Sequence, residues 1–431
     1  MNVLSKLNFI WGGSTRPFLI YKGKELTFSD VLNEQGCDLS VINRGDVVAV
    51  IGDFDPVSIS LILRLIDIGV VIVPLTIETV EEHEYFFKSS CVDFIIKYGE
   101  IKRRAHADSS PLLDQLRQKS QAGLVLFSTG TTGRPKAILH DLSLFLERYE
   151  TPRPSFRTLN FLLFDHIGGI NTLLHTLFNR GVVVAPNTRR VKDILDICRI
   201  NDIEVLPATP TFLRMLLMSG LVQTEFPKCI KVITYGTELM DQPTLNDFCH
   251  FLPNVDFRQT YGMSELGILR VKSVARNSLY MKIGGNGVET KVSNGTLHIR
   301  SESRMIGYLN APSPFNEEGW YDTKDIVEVS GETYKVVGRL GDMINVGGLK
   351  FMASEVERVA LDFPGVALVK VQSQPNPITG QHVELTVQPK EGCSLDKGEL
   401  LNFLKNKLQP HMTPKRISIT DVQIGHRFKK V

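Results

Sequence analysis

Apolar residues along this chain fall into two textures. Over roughly the first 270 positions, short β-branched runs alternate with segments of helical periodicity. Val47-Ile51, Val70-Val73, Leu124-Phe127, Val182-Ala185, Glu204-Pro207 and Lys231-Thr234 read as buried parallel strands, each bounded by Gly, Pro or polar residues. Between them Pro56-Asp67, Leu142-Tyr149, Gly169-Asn179, Val191-Asn201 and Thr211-Ser219 carry the i, i+3, i+4 pattern of helices. That alternation predicts an α/β fold with parallel sheets. After about Val271 the pattern changes to polar/apolar alternation at Glu289-Val292, Thr296-Arg300, Ile326-Val329 and Tyr334-Val337, with Gly and Asn in the turns. This predicts an antiparallel or distorted-barrel section. The last 90 or so residues read as a small α+β unit. Its expected helices are Ala353-Leu361 and Asp396-Leu408, and its strands Val366-Gln372 and Val383-Gln388. The expected organisation is a large N-terminal domain over 1–337, a hinge at 338–342 and a small C-terminal domain over 343–431.

Composition narrows the function classes. A formal net charge of +2 gives no electrostatic footprint for a nucleic-acid partner. The six cysteines are scattered without a CxxC pair, and the ten histidines without HExxH spacing, so neither a zinc site nor a disulfide framework is expected. The most apolar stretch, Val57 to Thr76, contains Arg64 and Asp67, which argues for a core helix running into a strand rather than a membrane span. Without a recognisable targeting segment, the expected location is the cytoplasm.

Four segments carry candidate chemistry. Ser128-Thr129-Gly130-Thr131-Thr132-Gly133-Arg134-Pro135-Lys136 follows an apolar strand. Its glycines allow backbone N–H groups to converge on an anion, its hydroxyls donate and Lys136 adds charge, a combination suited to a polyphosphate. It is not the GxxxxGK[ST] loop. Taken alone, the same residues also make an ordinary polar surface loop. Gln259-Thr260-Tyr261-Gly262-Met263-Ser264-Glu265 offers an aromatic that can stack on a flat base, then a hydroxyl and a carboxylate, hard ligands of the kind magnesium takes. By itself the motif reads better as a strand end entering a loop with a solvated Glu265. In Gly319-Trp320-Tyr321-Asp322-Thr323-Lys324-Asp325 and Gly338-Arg339-Leu340-Gly341-Asp342, Asp325 can accept both hydroxyls of a ribose and Arg339 can donate to the same sugar. A capping aspartate and a surface ion pair are the plainer alternatives.

In order and spacing this set resembles the adenylate-forming superfamily: acyl-CoA and aryl-CoA synthetases, peptide-synthetase adenylation domains and luciferases. The resemblance runs over essentially the whole chain, and the tail from Pro414-Lys415-Arg416-Ile417 to Lys430-Val431 looks like the family's closing segment. It implies ATP-dependent activation of a small carboxylic acid to an acyl-adenylate with release of pyrophosphate. Transfer to a pantetheine thiol, of CoA or of an acyl carrier protein, would follow. Capture of the adenylate by an amine is a second reading, and a non-catalytic nucleotide-binding relative a third.

The resemblance also implies roles. Ser128, Thr129, Gly130, Thr131, Thr132, Gly133 and Lys136 would hold the β- and γ-phosphates. Gly236, Thr237 and Glu238 would border the adenine, with Tyr261 stacked on it and Gly262 and Met263 alongside. Ser264 would touch the α-phosphate, Glu265 bind Mg2+, and Asp325 and Arg339 hold the ribose. His166 would lie beside the reacting carboxylate, Gly169, Ile170, Tyr235, Leu266 and Ile268 would line the acyl pocket, and Lys430 would be the catalytic lysine. Gly347 and Gly348 would line the pantetheine tunnel, reached by rotation about a hinge at Gly341. Departures from the family pattern are Ala137 for Gly, Ser264 for Thr, Lys324 and Lys429 for Gly, and Gly341 for a charged hinge residue.

Overall fold

The computed structural model describes residues 3–34, 36–105, 109–128, 133–285 and 287–425, with the backbone alone at Ile268. Among the described residues the strands form five sheets. The first runs, by strand, Glu100–Arg103, Phe94–Lys97, Val47–Ile51, Val71–Leu75, Gly123–Phe127, Ala137–Asp141 and Gly307–Tyr308. Its centre is parallel, and it turns antiparallel from Gly123–Phe127 onward. Val47–Ile51 and Gly123–Phe127 are buried at all five positions, the expected mark of strands covered on both faces. The second sheet is parallel from Leu19–Tyr21 through Val182–Ala185, Arg157–Leu159, Val205–Ala208 and Val232–Tyr235 to Asp256–Gln259.

The helices Pro56–Ile68 and Ile167–Phe178 lie in the core between these two sheets, with Ile59, Leu63, Leu173 and Leu177 fully buried. Local chemistry sets the ends of the first. Asp55 accepts from the Ser58 N–H, Pro56 occupies the first turn, and Gly69 closes the helix at φ +88°. The apolar Val57–Thr76 stretch is thus a core helix leading into the strand Val71–Leu75, as read from its charges. No helix among the described residues is long and apolar enough to cross a membrane. All six cysteines are free thiols.

A six-stranded antiparallel sheet follows, ordered Arg270–Ser273, Met281–Gly284, Thr333–Arg339, Tyr321–Ser330, Thr296–Ser301 and Val288–Ser293, around a core of Leu266, Met281, Leu297 and Ile299. The last sheet contains Leu349–Met352, Met343–Val346, Gly380–Pro389, Val366–Asn376 and Arg416–Ile419. With the helices Ala353–Leu361 and Lys397–Lys407 it encloses its own cluster, including Val356, Leu385 and Leu400. The segment expected as a linker is shorter than its sequence suggests. Gly338 and Arg339 still belong to the strand Thr333–Arg339, paired with Ile326 and Asp325, and only the one-turn helix Leu340–Asp342 separates the two sheets. The last sheet also touches the body elsewhere: the helix Pro210–Met218 packs on Val366–Asn376, and Ser354 Oγ donates to the Val337 carbonyl at 2.9 Å.

Candidate active site

Cross-strand register brings the first cluster together. Asp325 and Arg339 are opposite one another in the hairpin Tyr321–Ser330/Thr333–Arg339. Arg339 Nε donates to Asp325 Oδ1 at 2.9 Å, and Tyr261 Oη donates to Asp325 Oδ2 at 2.6 Å. Asp325 is buried, with its N–H held at 3.1 Å by Thr323 Oγ1, which in turn donates to the Leu297 carbonyl. Burial pushes the Asp325 carboxyl above the usual carboxylate range, partly offset by the Arg339 guanidinium. Burial and the neighbouring Asp325 push the Tyr261 phenol well above its ordinary value, so it stays a donor. The Arg339 side chain is half exposed, leaving part of its fork open to a ligand.

The second cluster forms where the 128–136 loop returns to its sheet. Ser128 and Lys136 close its base by a backbone bond, Ser128 N to Lys136 O at 3.1 Å, and a side-chain bond, Lys136 N to Ser128 Oγ at 3.0 Å. Thr129, Gly130, Thr131 and Thr132 lie outside the described residues; Gly133 has open space where a Cβ would be. Asn310 clasps the exit: its Oδ1 accepts from Ala137 N at 2.8 Å, and its Nδ2 donates to the Pro135 carbonyl at 3.2 Å and to Tyr85 Oη at 3.1 Å. Tyr85 Oη itself donates to the Pro135 carbonyl at 2.8 Å. Lys136 Nζ sits 4.8 Å from the centre of the Tyr308 ring, and Tyr308 Oη donates to Glu265 Oε1 at 2.8 Å. Tyr308 and Tyr321 lie close enough to influence each other's titration. Burial and Glu265 push both phenols up. Tyr321, on the same strand as Asp325, is within electrostatic reach of Glu265, Arg339 and Asp325.

Neighbouring positions are fixed by packing. His140 is buried, and burial lowers it to about 4, so it is neutral near pH 7. The parallel pair Val232–Tyr235/Asp256–Gln259 sets Gly236 beside Thr260, where a Cβ on Gly236 would lie 2.2 Å from Thr260 Oγ1. Thr237 follows in the left-handed region at φ +72°, and Glu238 Oε2 accepts from Thr211 N at 3.1 Å, holding the start of the helix Pro210–Met218. His166 caps the helix Ile167–Phe178, its Nδ1 accepting from Gly168 N at 3.0 Å, which leaves the proton of the neutral ring on Nε2.

The residues expected around an acyl group are dispersed. Gly169 sits against backbone, with a Cβ there only 2.0 Å from the Leu163 carbonyl oxygen. Ile170 belongs to the core between the sheets, Leu266 to the antiparallel core, and Tyr235 to the outer core with Leu245 and Phe248. The strand Gly267–Ile268 does pack on the helix Ile167–Phe178, bringing that helix beside the 262–268 turn. Gly262 is exposed and Met263 half-buried, both in the short strand Gly262–Met263. Far from these, Gly347 and Gly348 form an exposed turn at φ +62° and +88°, and Gly341 is exposed in the turn after Arg339. Lys430 lies outside the described residues.

Sequence reasoning missed Tyr308, Asn310, Tyr85 and His140, whose roles come from distant pairing. Tyr321 lay inside a quoted motif, and its aromatic in a polar run was the available signal. As a magnesium site, Glu265 beside Ser264 presents hard oxygen ligands. Among the described residues no three His, Cys, Asp or Glu side chains gather into a metal cage. A lone carboxylate suits an ion held mainly by substrate phosphates and water, so the residues fit.

The family model described as AMP-binding enzyme matches residues 14–309. The chain is 23% identical over 367 residues to 4-coumarate–CoA ligase-like 6 of Arabidopsis thaliana, covering 77% of this chain and 64% of that protein. It is 25% identical over 325 residues to the indoleacetate–CoA ligase of Aromatoleum aromaticum, covering 69% and 63%. It thus spans under two thirds of the length of these curated relatives. Among solved structures, the o-succinylbenzoate CoA synthetase of Bacillus subtilis in complex with its acyl-adenylate intermediate superposes with a TM-score of 0.79 at 19% identity, covering 100% of this chain and 96% of that one. ATP-bound MatB of Rhodopseudomonas palustris gives 0.80 at 19% identity, with 99% and 96% covered. At that identity the likeness is one of fold.

Proposed function

The chain belongs to the family of AMP-binding enzymes, and on that premise we propose that it activates a carboxylic acid with ATP, forming an acyl-adenylate and releasing pyrophosphate, and then passes the acyl group to a pantetheine thiol. The observation that carries this reading is the pair of clusters Arg339–Asp325–Tyr261 and Tyr308–Glu265 with Lys136, both within electrostatic reach of Tyr321. A ribose-binding carboxylate and a phosphate-binding loop are useful together only to a ligand that has both a sugar and a polyphosphate.

In this reading Asp325 accepts the ribose hydroxyls and the free part of the Arg339 fork donates to the same sugar. Tyr261 stacks on the adenine, which Gly236, Thr237 and Glu238 border. Ser128 and Lys136, with the intervening loop, take the β- and γ-phosphates and guide pyrophosphate out. Ser264 contacts the α-phosphate. Magnesium bound at Glu265 supplies positive charge against the phosphates. His166 with Nε2–H can donate to the acid's carboxylate, orienting it for in-line attack on the α-phosphorus. The charge developing there is neutralised by Lys430.

Thioester formation needs the Gly347–Gly348 turn at the same site. The small unit 343–431 therefore rotates about 338–342, with the thiol supplied by CoA or by a carrier protein. The apolar surroundings of 167–170 favour an uncharged or aromatic acid. The names of the relatives, ligases joining acids to CoA, support the thiol over an amine as acceptor.

The test is ATP–pyrophosphate exchange with magnesium over a panel of aryl, fatty, short-chain and amino acids, beside Lys430→Ala. Exchange with one class of acid, lost in the variant, is the expected result. A folded, ATP-binding protein silent with every acid would overturn it.

A further inference from the structure

We infer that Tyr308 is a positioning residue that holds Lys136 and Glu265 apart and aligns each for its own ligand; the inference rests on the nucleotide reading above. The two side chains have opposite charge and face the same aromatic side chain, from its ring and from its hydroxyl. Left to themselves they would pair, and a Lys136–Glu265 ion pair would remove at once the cation meant for phosphate and the carboxylate meant for magnesium. Among the described residues neither is in an ion pair: Lys136 rests over the ring at 4.8 Å, and Glu265 Oε1 takes the hydroxyl proton at 2.8 Å. The hydrogen bond also fixes the rotation of the carboxylate, so that Oε2 is the oxygen presented to a cation.

Tyr308 is built to stay where it is. It is 6% exposed, and its hydroxyl is engaged by Glu265 at 2.8 Å. Its backbone is in register with Ile138, flanked by Ile306 N to Leu139 O at 2.8 Å and Leu309 N to Ala137 O at 2.9 Å. The backbone that carries the ring is therefore anchored at the very residues where the 128–136 loop re-enters the sheet.

The experiment is calorimetric titration of ATP, without acid, into the full chain and its variants, with and without magnesium. Tyr308→Phe keeps the ring and loses the hydroxyl. It is expected to raise the magnesium concentration for half-maximal ATP binding about tenfold while magnesium-free ATP binding holds. Tyr308→Leu loses the spacer as well and is expected to weaken magnesium-free ATP binding roughly two- to fivefold. Adding Glu265→Gln to it should restore that affinity, because the attraction that captures Lys136 is gone; lost packing alone would not be repaired this way. Tyr334→Phe, whose hydroxyl meets Thr290 at 3.0 Å in the antiparallel sheet, is the folding control and should match the parent. Unaltered magnesium dependence in Tyr308→Phe overturns the inference even if Tyr308→Leu fails to fold. A Tyr308→Leu defect that Glu265→Gln does not restore also overturns it. A parent chain that binds no ATP overturns the nucleotide reading and this inference with it.

Discussion

Asp325 and Arg339 meet across one hairpin, Nε to Oδ1 at 2.9 Å, because the register of two strands makes them direct partners. Their pairing is decided by the antiparallel ladder before any ligand arrives, and Tyr261 completes it from the connection between the strands Asp256–Gln259 and Gly262–Met263. Asp325→Asn should therefore raise KM for ATP by roughly ten- to a hundredfold, leave KM for the acid nearly unchanged, and lower stability by about 1–3 kcal/mol, since two donors lose a charged acceptor. Exchange kinetics with each substrate varied in turn, beside a thermal melt, check this. Equal effects on both substrates would place Asp325 elsewhere in the chemistry.

Asn310 should act on the phosphate loop alone. Asn310→Ala removes the acceptor for Ala137 N and the donor to the Pro135 carbonyl. The side chain is exposed, so the loss of stability should be about 1 kcal/mol. Asn310→Asp keeps the acceptor and loses the donor, so it should fall between parent and Ala in KM for ATP. An Asp variant worse than Ala would contradict the clasp.

His140 gives the fold a pH signature. Its folded value, about 4, lies below the ordinary value of about 6.5, so the unfolded chain binds a proton that the folded chain refuses. The stability it contributes is full above pH 6.5 and falls as pH drops from about 6.5 to 4, by roughly 3 kcal/mol in total. Urea unfolding of the parent and of His140→Gln across that window should show the parent losing stability more steeply, and parallel curves would refute the assignment.

Two glycines should respond in opposite ways to the same change. Gly169→Ala drives a Cβ to 2.0 Å from the Leu163 carbonyl and 2.8 Å from that of Leu162, both backbone, and should destabilise by about 1–3 kcal/mol. Gly341→Ala meets nothing within 4 Å, and its φ lies outside the left-handed region. It should be neutral or slightly stabilising, because the unfolded chain loses freedom. Denaturation midpoints of the two variants measure the contrast directly.

Much of the fold was legible because each of its two textures has its own periodicity. Val47–Ile51 and Val182–Ala185 coincide with the strands read from the sequence, and Ala353–Leu361 with the helix. Other ends shifted by one to several residues where caps decide them, as at Pro210–Met218, whose start is fixed by Thr209. Gly123–Phe127 was read as parallel and is so only toward Val71–Leu75, because its other neighbour, Ala137–Asp141, returns antiparallel after the phosphate loop. The ligand-facing motifs were legible because they are contiguous. The residues that brace them were not. Tyr308 lies 43 positions from Glu265, and Asn310 lies 225 from Tyr85, and no local pattern announces a partner at such range.

The brevity of the Leu340–Asp342 turn has a mechanical side. The guanidinium assigned to the sugar sits at the end of one sheet, and after a single turn the chain is already in the next. In the rotation proposed above, so short a crank would carry any swing of the last sheet to Arg339, and a nucleotide held there would load the same joint. Ligand occupancy and the angle of the last sheet would then be two readings of one axle.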